Sequence, residues 1–316
     1  MTQRLDVLTI GESMVAFHGD GAWSEGSRAS ARVAGAESNV AIGLARLGHT
    51  VSWCGRLGTD PFGDLVLRQL RAEAVGVEHV VRDPGGPTGL MFVEHRTADV
   101  VRVEYRRDRS AGSRLRLGDV EAALGAGPRL LHLTGITPAL SPTARCAVLH
   151  AAEVARAGQV LVSLDVNFRS RLWSREEARD ALRDLVRHVD VVVASDDELD
   201  LVADGDDAAA ARELLGSGVG HVAVKRGPDG ATLWTGDERY DVPALRVTAV
   251  DPFGAGDAFT AGLLSGLLDG LGGAESLRRG ARLGAFAVST LGDWHGLPRR
   301  DELHLLDGLR PGTLLR

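Results

Sequence analysis

Residues 251 to 259 read DPFGAGDAF, and within them Gly254, Ala255 and Gly256 place three nearly side-chain-free positions directly before Asp257. If a helix begins near Gly254, its first backbone N–H groups lack intrahelical partners, and the aligned peptide dipoles add partial positive charge at the same end. An anion is favoured there. A carboxylate beside such an anion hole suits a base that deprotonates a hydroxyl as it attacks phosphorus, with the hole stabilising charge on the transferred group. Asp257 also has a simpler reading, as a first-turn carboxylate that complements the helix dipole. The small residues argue against it, because capping needs no such exposure of backbone.

Two common nucleotide-binding motifs are excluded. Lys225, in HVAVKRGPDG, is the single lysine of the chain and precedes Arg226, so no GxxxxGK[ST] phosphate loop exists. The dinucleotide fingerprint fails as well, because Phe259 stands where its third glycine belongs. Cys54 and Cys146 lie far apart and outside any CxxC or Cys/His spacing, which argues against a disulfide framework or a zinc site and leaves both as small core residues. The net charge of −7 gives no general attraction to nucleic acid or to an anionic membrane, so an anionic ligand must be held locally. With no uninterrupted apolar run of about 18 residues and no signal-peptide pattern in MTQRLDVLTI, the expected location is cytoplasmic.

The elements that must position these residues follow from the apolar pattern. A soluble chain of 316 residues, 44% of them hydrophobic, can bury a large core. Short β-branched runs alternate with helical segments, which predicts an α/β fold with a mostly parallel central sheet flanked by helices on both faces. LDVLTI, VSWCG, LLHLTG, QVLVSLDV, HVDVVVA and HVAVK read as its strands. SNVAIGLARL, PFGDLVLRQLRAEA, ARCAVLHAAEVARAG, SREEARDALRDLV, GAGDAFTAGLLSGLLDG and AESLRRGARLGAFAVSTL read as helices. Two regions depart from the rhythm. Glu12 to Val33 is rich in Gly, Ser and Ala, and Thr88 to Tyr105 alternates like a two-stranded hairpin. Together they predict a small β-sheet lid, its strands within about 12–34 and 88–110, on a single domain of residues 1–316. A β-ribbon used only for contacts between copies is the other reading of the same pattern.

The GAGD segment resembles the C-terminal signature of the ribokinase-like (PfkB) carbohydrate kinases, and AGAESNVAIGLARLG followed by WCGRLGTDPFGD resembles their N-terminal signature. The similarity covers nearly the whole chain. Within the family the sequence is most similar to 2-keto-3-deoxygluconate kinases, through YRRDRSAGSRL, DVNFRSRLW and the closing GDWHGLP.

The resemblance implies roles at the matching positions. Gly35 and Asn39 would contact substrate hydroxyls, with Met91 on the first hairpin strand beside them, and Tyr105, Arg107 and Arg169 would hold a sugar acid. Lys225, Gly227 and Gly230 would form a nucleotide-side turn, Gly254, Ala255 and Gly256 the anion hole, and Asp257 the catalytic base. An NxxE element of the family is matched by Ser195 to Glu198; Ser195 departs from its asparagine and is a candidate nucleotide contact or N-cap, while Glu198 is a candidate outer-sphere Mg2+ residue. Phe253 is a second departure, placed to alter packing near the phosphates or near a monovalent cation such as K+. The implied activity is ATP- and Mg2+-dependent phosphorylation of a primary hydroxyl of a sugar acid, 2-keto-3-deoxygluconate to its 6-phosphate; the alternation of the projecting strands, which offers one face to the site and another to a partner chain, predicts a homo-oligomer. The alternatives are a fructokinase- or ribokinase-type enzyme for a neutral sugar, a non-catalytic sugar-binding protein on the same fold, and, last, a dehydrogenase.

Overall fold

The computed structural model describes residues 4–19, 21–97 and 100–306. The chain opens with β1 (Val7–Ile10), enters a second sheet through β2 (Met14–Gly19) and β3 (Ala29–Ala34), and returns through α1 (Ala36–Arg46) to β4 (Val51–Gly58). After α2 (Pro61–Ala72) and β5 (Val80–Asp83) it visits the second sheet again as β6 (Gly89–His95) and β7 (Val101–Arg106). Then α3 (Leu117–Leu124), β8 (Leu130–Thr134), α4 (Pro142–Ala157), β9 (Leu161–Asp165), α5 (Arg175–Val186), β10 (Val191–Ser195), α6 (Asp207–Gly216) and β11 (His221–Lys225) alternate. A hairpin, β12 (Ala231–Thr235) and β13 (Glu238–Val242), precedes α7 (Ala255–Leu268) and α8 (Gly273–Val288).

The nine-stranded sheet has the order β13-β12-β11-β10-β9-β8-β1-β4-β5. Every pair from β11 to β5 is parallel. The cause is visible in the sequence: runs such as VLTI and VVVAS are apolar on both strand faces, and only helices on both sides can cover them. Val7 and Trp53 face the layer of α1, α2, α7 and α8, whereas Leu8 and Ile10 face α3 to α6. Helix starts follow their caps. Asp60 accepts from the Gly63 N–H ahead of α2, Ser141 caps α4, Ser174 and Glu177 form a reciprocal box at α5, and Asp206 caps α6.

The second sheet has the order β3-β2-β6-β7, antiparallel except for the β2–β6 pair. It consists of strands from the two regions that break the αβ rhythm. Asp20, between β2 and β3, and Ala98 and Asp99, between β6 and β7, lie outside the described residues. On its inner face Met14, Ala16, Ala34, Met91 and Val93 form a small buried cluster, against which Val101, Val103, Tyr105 and Phe253 pack.

Two expectations need correction. Cys54 is buried, but Cys146 is exposed on α4, so only one of the cysteines is a core residue. The β12–β13 hairpin is absent from the pattern-based strand assignments because β13, ERYDV, is a largely exposed edge strand without an apolar run. Its signal is local instead: Gly236, at φ 55°, supplies the left-handed residue of a two-residue turn. Among the described residues no helix is long and apolar enough to cross a membrane.

Candidate active site

Polar residues close the apolar strand runs at one edge of the sheet. Glu12 follows β1, Asp165 ends β9, Ser195 ends β10 and Lys225 ends β11. This is the carboxyl edge, where parallel α/β sheets bind their ligands. Helix α7 points its N-terminus at the same place. It begins at Ala255, one residue after the expected start, and Gly254 caps it in the left-handed region at φ 71°. An added Cβ at Gly254 would lie 2.0 Å from the Asp293 carbonyl oxygen, so the position is closed to side chains on two counts. Gly256 differs: its added Cβ would meet only Lys225 Nζ, at 3.3 Å. The ammonium of Lys225 therefore stands beside the first turn of α7, with Asp165 holding it at 2.8 and 2.9 Å and Thr260 donating to the same carboxylate at 2.8 Å.

Asp257, in that first turn, is buried, and two amides fix its carboxylate. Asn39 Nδ2 donates to Oδ2 at 2.8 Å and Asn167 Nδ2 to Oδ1 at 3.3 Å. Burial raises the Asp257 carboxyl above the ordinary carboxylate range; the Asn39 hydrogen bond opposes this and the Asp165 charge adds to it. Asn39 Nδ2 also donates to Asp293 Oδ2 at 3.2 Å. Burial first, and the neighbouring Asp257 charge second, push Asp293 up to about 7. Glu37, two residues before Asn39 in α1, accepts hydroxyl bonds from Thr134 and Thr137 at 2.7 and 2.6 Å, and burial pushes it up to about 7 as well.

Of the sugar-side candidates, Tyr105, Arg107 and Arg169 line a cleft of about 750 Å³ together with Val103, Leu140 and Phe168, whereas Gly35, Asn39 and Met91 are not among its lining residues. Met91 is the register partner of Tyr105 on the inner face of the small sheet. Arg169 is exposed and bonds the Phe168 carbonyl at 3.1 Å. Arg107 is already engaged: its Nη2 lies 2.5 Å from Glu12 Oε2 and its guanidinium stacks 5.5 Å from the Tyr105 ring centre. Gly35 stands at the N-cap of α1 at φ 143°, where an added Cβ would lie 2.5 Å from the Glu12 carbonyl oxygen, so the observed need for glycine is one of close backbone approach.

Of the residues expected to bind nucleotide, Gly227 and Gly230 flank a short turn after β11, at φ 51° and 95°, and Gly230 packs against the Val242 carbonyl. Ser195 starts no helix, contrary to the N-cap reading. Its N–H donates to Glu198 Oε2 at 2.9 Å, and Glu198 Oε1 takes the Phe168 N–H at 2.8 Å, so this buried glutamate ties the ends of β9 and β10 together. Phe253 packs against the inner face of the small sheet, edge-on to His18 at 6.3 Å. Its N–H donates to Asp251 Oδ1 at 3.1 Å, and Gly292 N–H donates to Asp251 Oδ2 at 2.9 Å.

Pattern reading did not single out Glu12, Glu37, Asp165, Asn167 or Asp293. Asp165 and Asn167 had a signal, as polar residues at the end of an apolar strand, and Asp293 lies in the GDWHGLP segment, but only tertiary folding brings residues 39, 257 and 293 together. Among the described residues no group of three or more His, Cys, Asp or Glu side chains could hold a metal ion by itself.

The pfkB family carbohydrate kinase profile matches residues 4–300. A 2-dehydro-3-deoxygluconokinase of Bacillus subtilis is 36% identical over 306 residues, 95% of this chain and 94% of that protein. A 2-dehydro-3-deoxygalactonokinase of Haloferax volcanii is 35% identical, covering 91% of this chain and 92% of its own. A crystal structure of an Escherichia coli protein described as a ribokinase II, in complex with ATP and Mg2+, superposes with a TM-score of 0.88 at 26% identity, covering 96% of this chain and 98% of its own. With a family match over nearly its whole length, a ribokinase-like architecture and a carboxylate in the first turn of α7, the chain belongs to the PfkB family of carbohydrate kinases.

Proposed function

We propose that this kinase transfers the γ-phosphoryl group of ATP to the primary hydroxyl of 2-keto-3-deoxygluconate, giving the 6-phosphate and ADP. The observation that carries this reading is the buried Asp257 carboxylate in the first turn of α7, beside Gly254, Gly256 and the Lys225 ammonium, at the same carboxyl edge as an arginine-lined cleft. Asp257 accepts the hydroxyl proton as the sugar oxygen attacks phosphorus; the new O–P bond forms as the bond to the β,γ-bridging oxygen breaks, and ADP leaves with that electron pair. The raised affinity of Asp257 for a proton brings it closer to the working pH of a base. Backbone N–H groups at the start of α7 and Lys225 face the charge on the transferred group. Asn39 and Asn167 hold the base in one orientation.

Glu198, close enough to Lys225 to act on its charge, is the outer-sphere residue we assign to Mg2+, which would supply neutralisation of polyphosphate charge when bound with the nucleotide. Arg169 meets the sugar-acid carboxylate with its planar fork. Two relatives name epimeric sugar acids, so both acids belong in one ADP-release screen with fructose and ribose. One observation favours a neutral sugar as the second reading: Glu12 already answers the charge of Arg107, which leaves less positive charge for an acid. Faster turnover of fructose or ribose than of either acid would reject the sugar-acid assignment. We also propose a homo-oligomer built on the small sheet, beside the exposed Trp23, whose ring meets Phe92 edge-on; a monomer by light scattering at micromolar concentration would reject it.

A further inference from the structure

Glu12 and Arg107 form a buried ion pair with exposures of 1% and 10%, one residue leaving β1 in the large sheet and the other following β7 in the small one. The second Glu12 oxygen takes the Ser110 hydroxyl. Space is kept for this side chain from two sides: an added Cβ at Gly89 would lie 2.9 Å from Glu12 Oε1, and one at Gly112 would strike its Cγ. Arg107 Nε is a buried donor without a hydrogen-bond partner, on a side chain that lines the cleft, and Glu12 Oε2 meets Arg107 Nη2 as an ion pair that does not form a hydrogen bond. Orphaned buried donors are uncommon in folded proteins, and one in a cleft wall marks a place for an acceptor.

We propose that Glu12 is the positioning residue of the sugar end of the cleft: it fixes Arg107 through one Nη and offers Nε to a substrate oxygen. Glu12 compensates the charge, so Arg107 recognises an acceptor by direction, while the exposed Arg169 supplies the net positive charge. An arginine held this way loses little conformational freedom when the sugar binds. The inference rests on the kinase reading, but not on which sugar is the substrate.

The test is a double-mutant cycle on Glu12 and Arg107, measured with whichever sugar the wild type turns over fastest. Glu12→Gln keeps the shape and removes the charge. The expected result is a KM for the sugar raised about tenfold or more, a smaller change in kcat and a KM for ATP within about twofold. Glu12→Asp recovers part of the loss. In an Arg107→Ala background Glu12→Gln adds no further increase in sugar KM, because the glutamate acts through the arginine. Additive effects in the cycle, or an unchanged sugar KM in Glu12→Gln, overturn the proposal. If Glu12→Gln does not fold, the same cycle is run with Glu12→Asp. A wild type that turns over fructose rather than a sugar acid refutes the substrate assignment and leaves this test intact; a wild type that turns over no sugar overturns both.

Discussion

Gly254 and Gly256 stand two residues apart at the same helix start, yet the structure separates what each can tolerate. At Gly254 an alanine must hold φ near 71°, which costs about 1–2 kcal/mol for a residue with a Cβ. The same Cβ would sit 2.0 Å from the Asp293 carbonyl oxygen, about 1 Å closer than real Cβ atoms approach, so residues 292–293 or the helix start must move. Overpacking of that kind adds about 1–3 kcal/mol. The sum, about 2–5 kcal/mol, lowers Tm by roughly 4–10 °C in a chain of this size. The displacement reaches the chemistry, because Asn39 holds both Asp293 and Asp257, and a misplacement of about 1 Å can cost on the order of 10²-fold in rate.

At Gly256 the added Cβ meets only the tip of Lys225, at 3.3 Å, and the backbone is helical. Gly256→Ala should be as stable as the wild type or up to ~1 kcal/mol more so. Gly256→Val should also fold, while its methyl groups occupy the space beside Lys225 that a phosphate oxygen needs; we expect kcat to fall on the order of 10²-fold. The assay pairs calorimetric Tm with coupled ADP release for the three variants. A fully active Gly256→Val, or a Gly254→Ala with unchanged Tm, would refute the reasoning.

Three further outcomes are expected. Asp257→Asn keeps nucleotide affinity and loses turnover by roughly 10²- to 10⁴-fold or more; in the wild type kcat/KM falls as pH drops through the raised Asp257 ionisation, and an acid limb no higher than that of an ordinary aspartate would count against its burial-shifted role. Arg169→Ala raises KM for 2-keto-3-deoxygluconate by a factor on the order of 10 to 10², leaves KM for ATP nearly unchanged and is only partly rescued by lysine; equal losses with acid and neutral sugars would contradict a carboxylate contact. Glu37 has its carboxyl raised from 4.5 to about 7, so its stabilising contribution is complete below pH 4.5 and is lost as pH rises through 7. Between pH 5 and 8 the wild type should therefore lose on the order of 3 kcal/mol relative to Glu37→Gln, and parallel pH profiles of urea unfolding for the two proteins would exclude a neutral buried Glu37.

Local sequence determined the repeating framework of this protein and the chemistry at α7. Apolar runs such as VVVAS can be covered only from both sides, which makes the sheet parallel, and GAGD exposes backbone and supplies a carboxylate within four residues. The alternation of β6 and β7, and the small residues of β2 and β3, likewise set the small sheet apart before folding is considered. What the tertiary structure decided is which charges remain free to act. Arg107 and Arg169 look alike in sequence, but Glu12, 95 positions before Arg107, neutralises one and leaves the other exposed. Asn39 reaches Asp257 and Asp293 only because α1, α7 and the segment after α8 converge at one sheet edge, over separations of 218 and 254 residues. Ser195 likewise sits at a strand end bound by Glu198 and not at a helix start. The physical reason is the range of the forces: propensity, capping and periodicity act within a few residues, whereas desolvation and ion pairing depend on neighbours that the chain supplies only once it has folded.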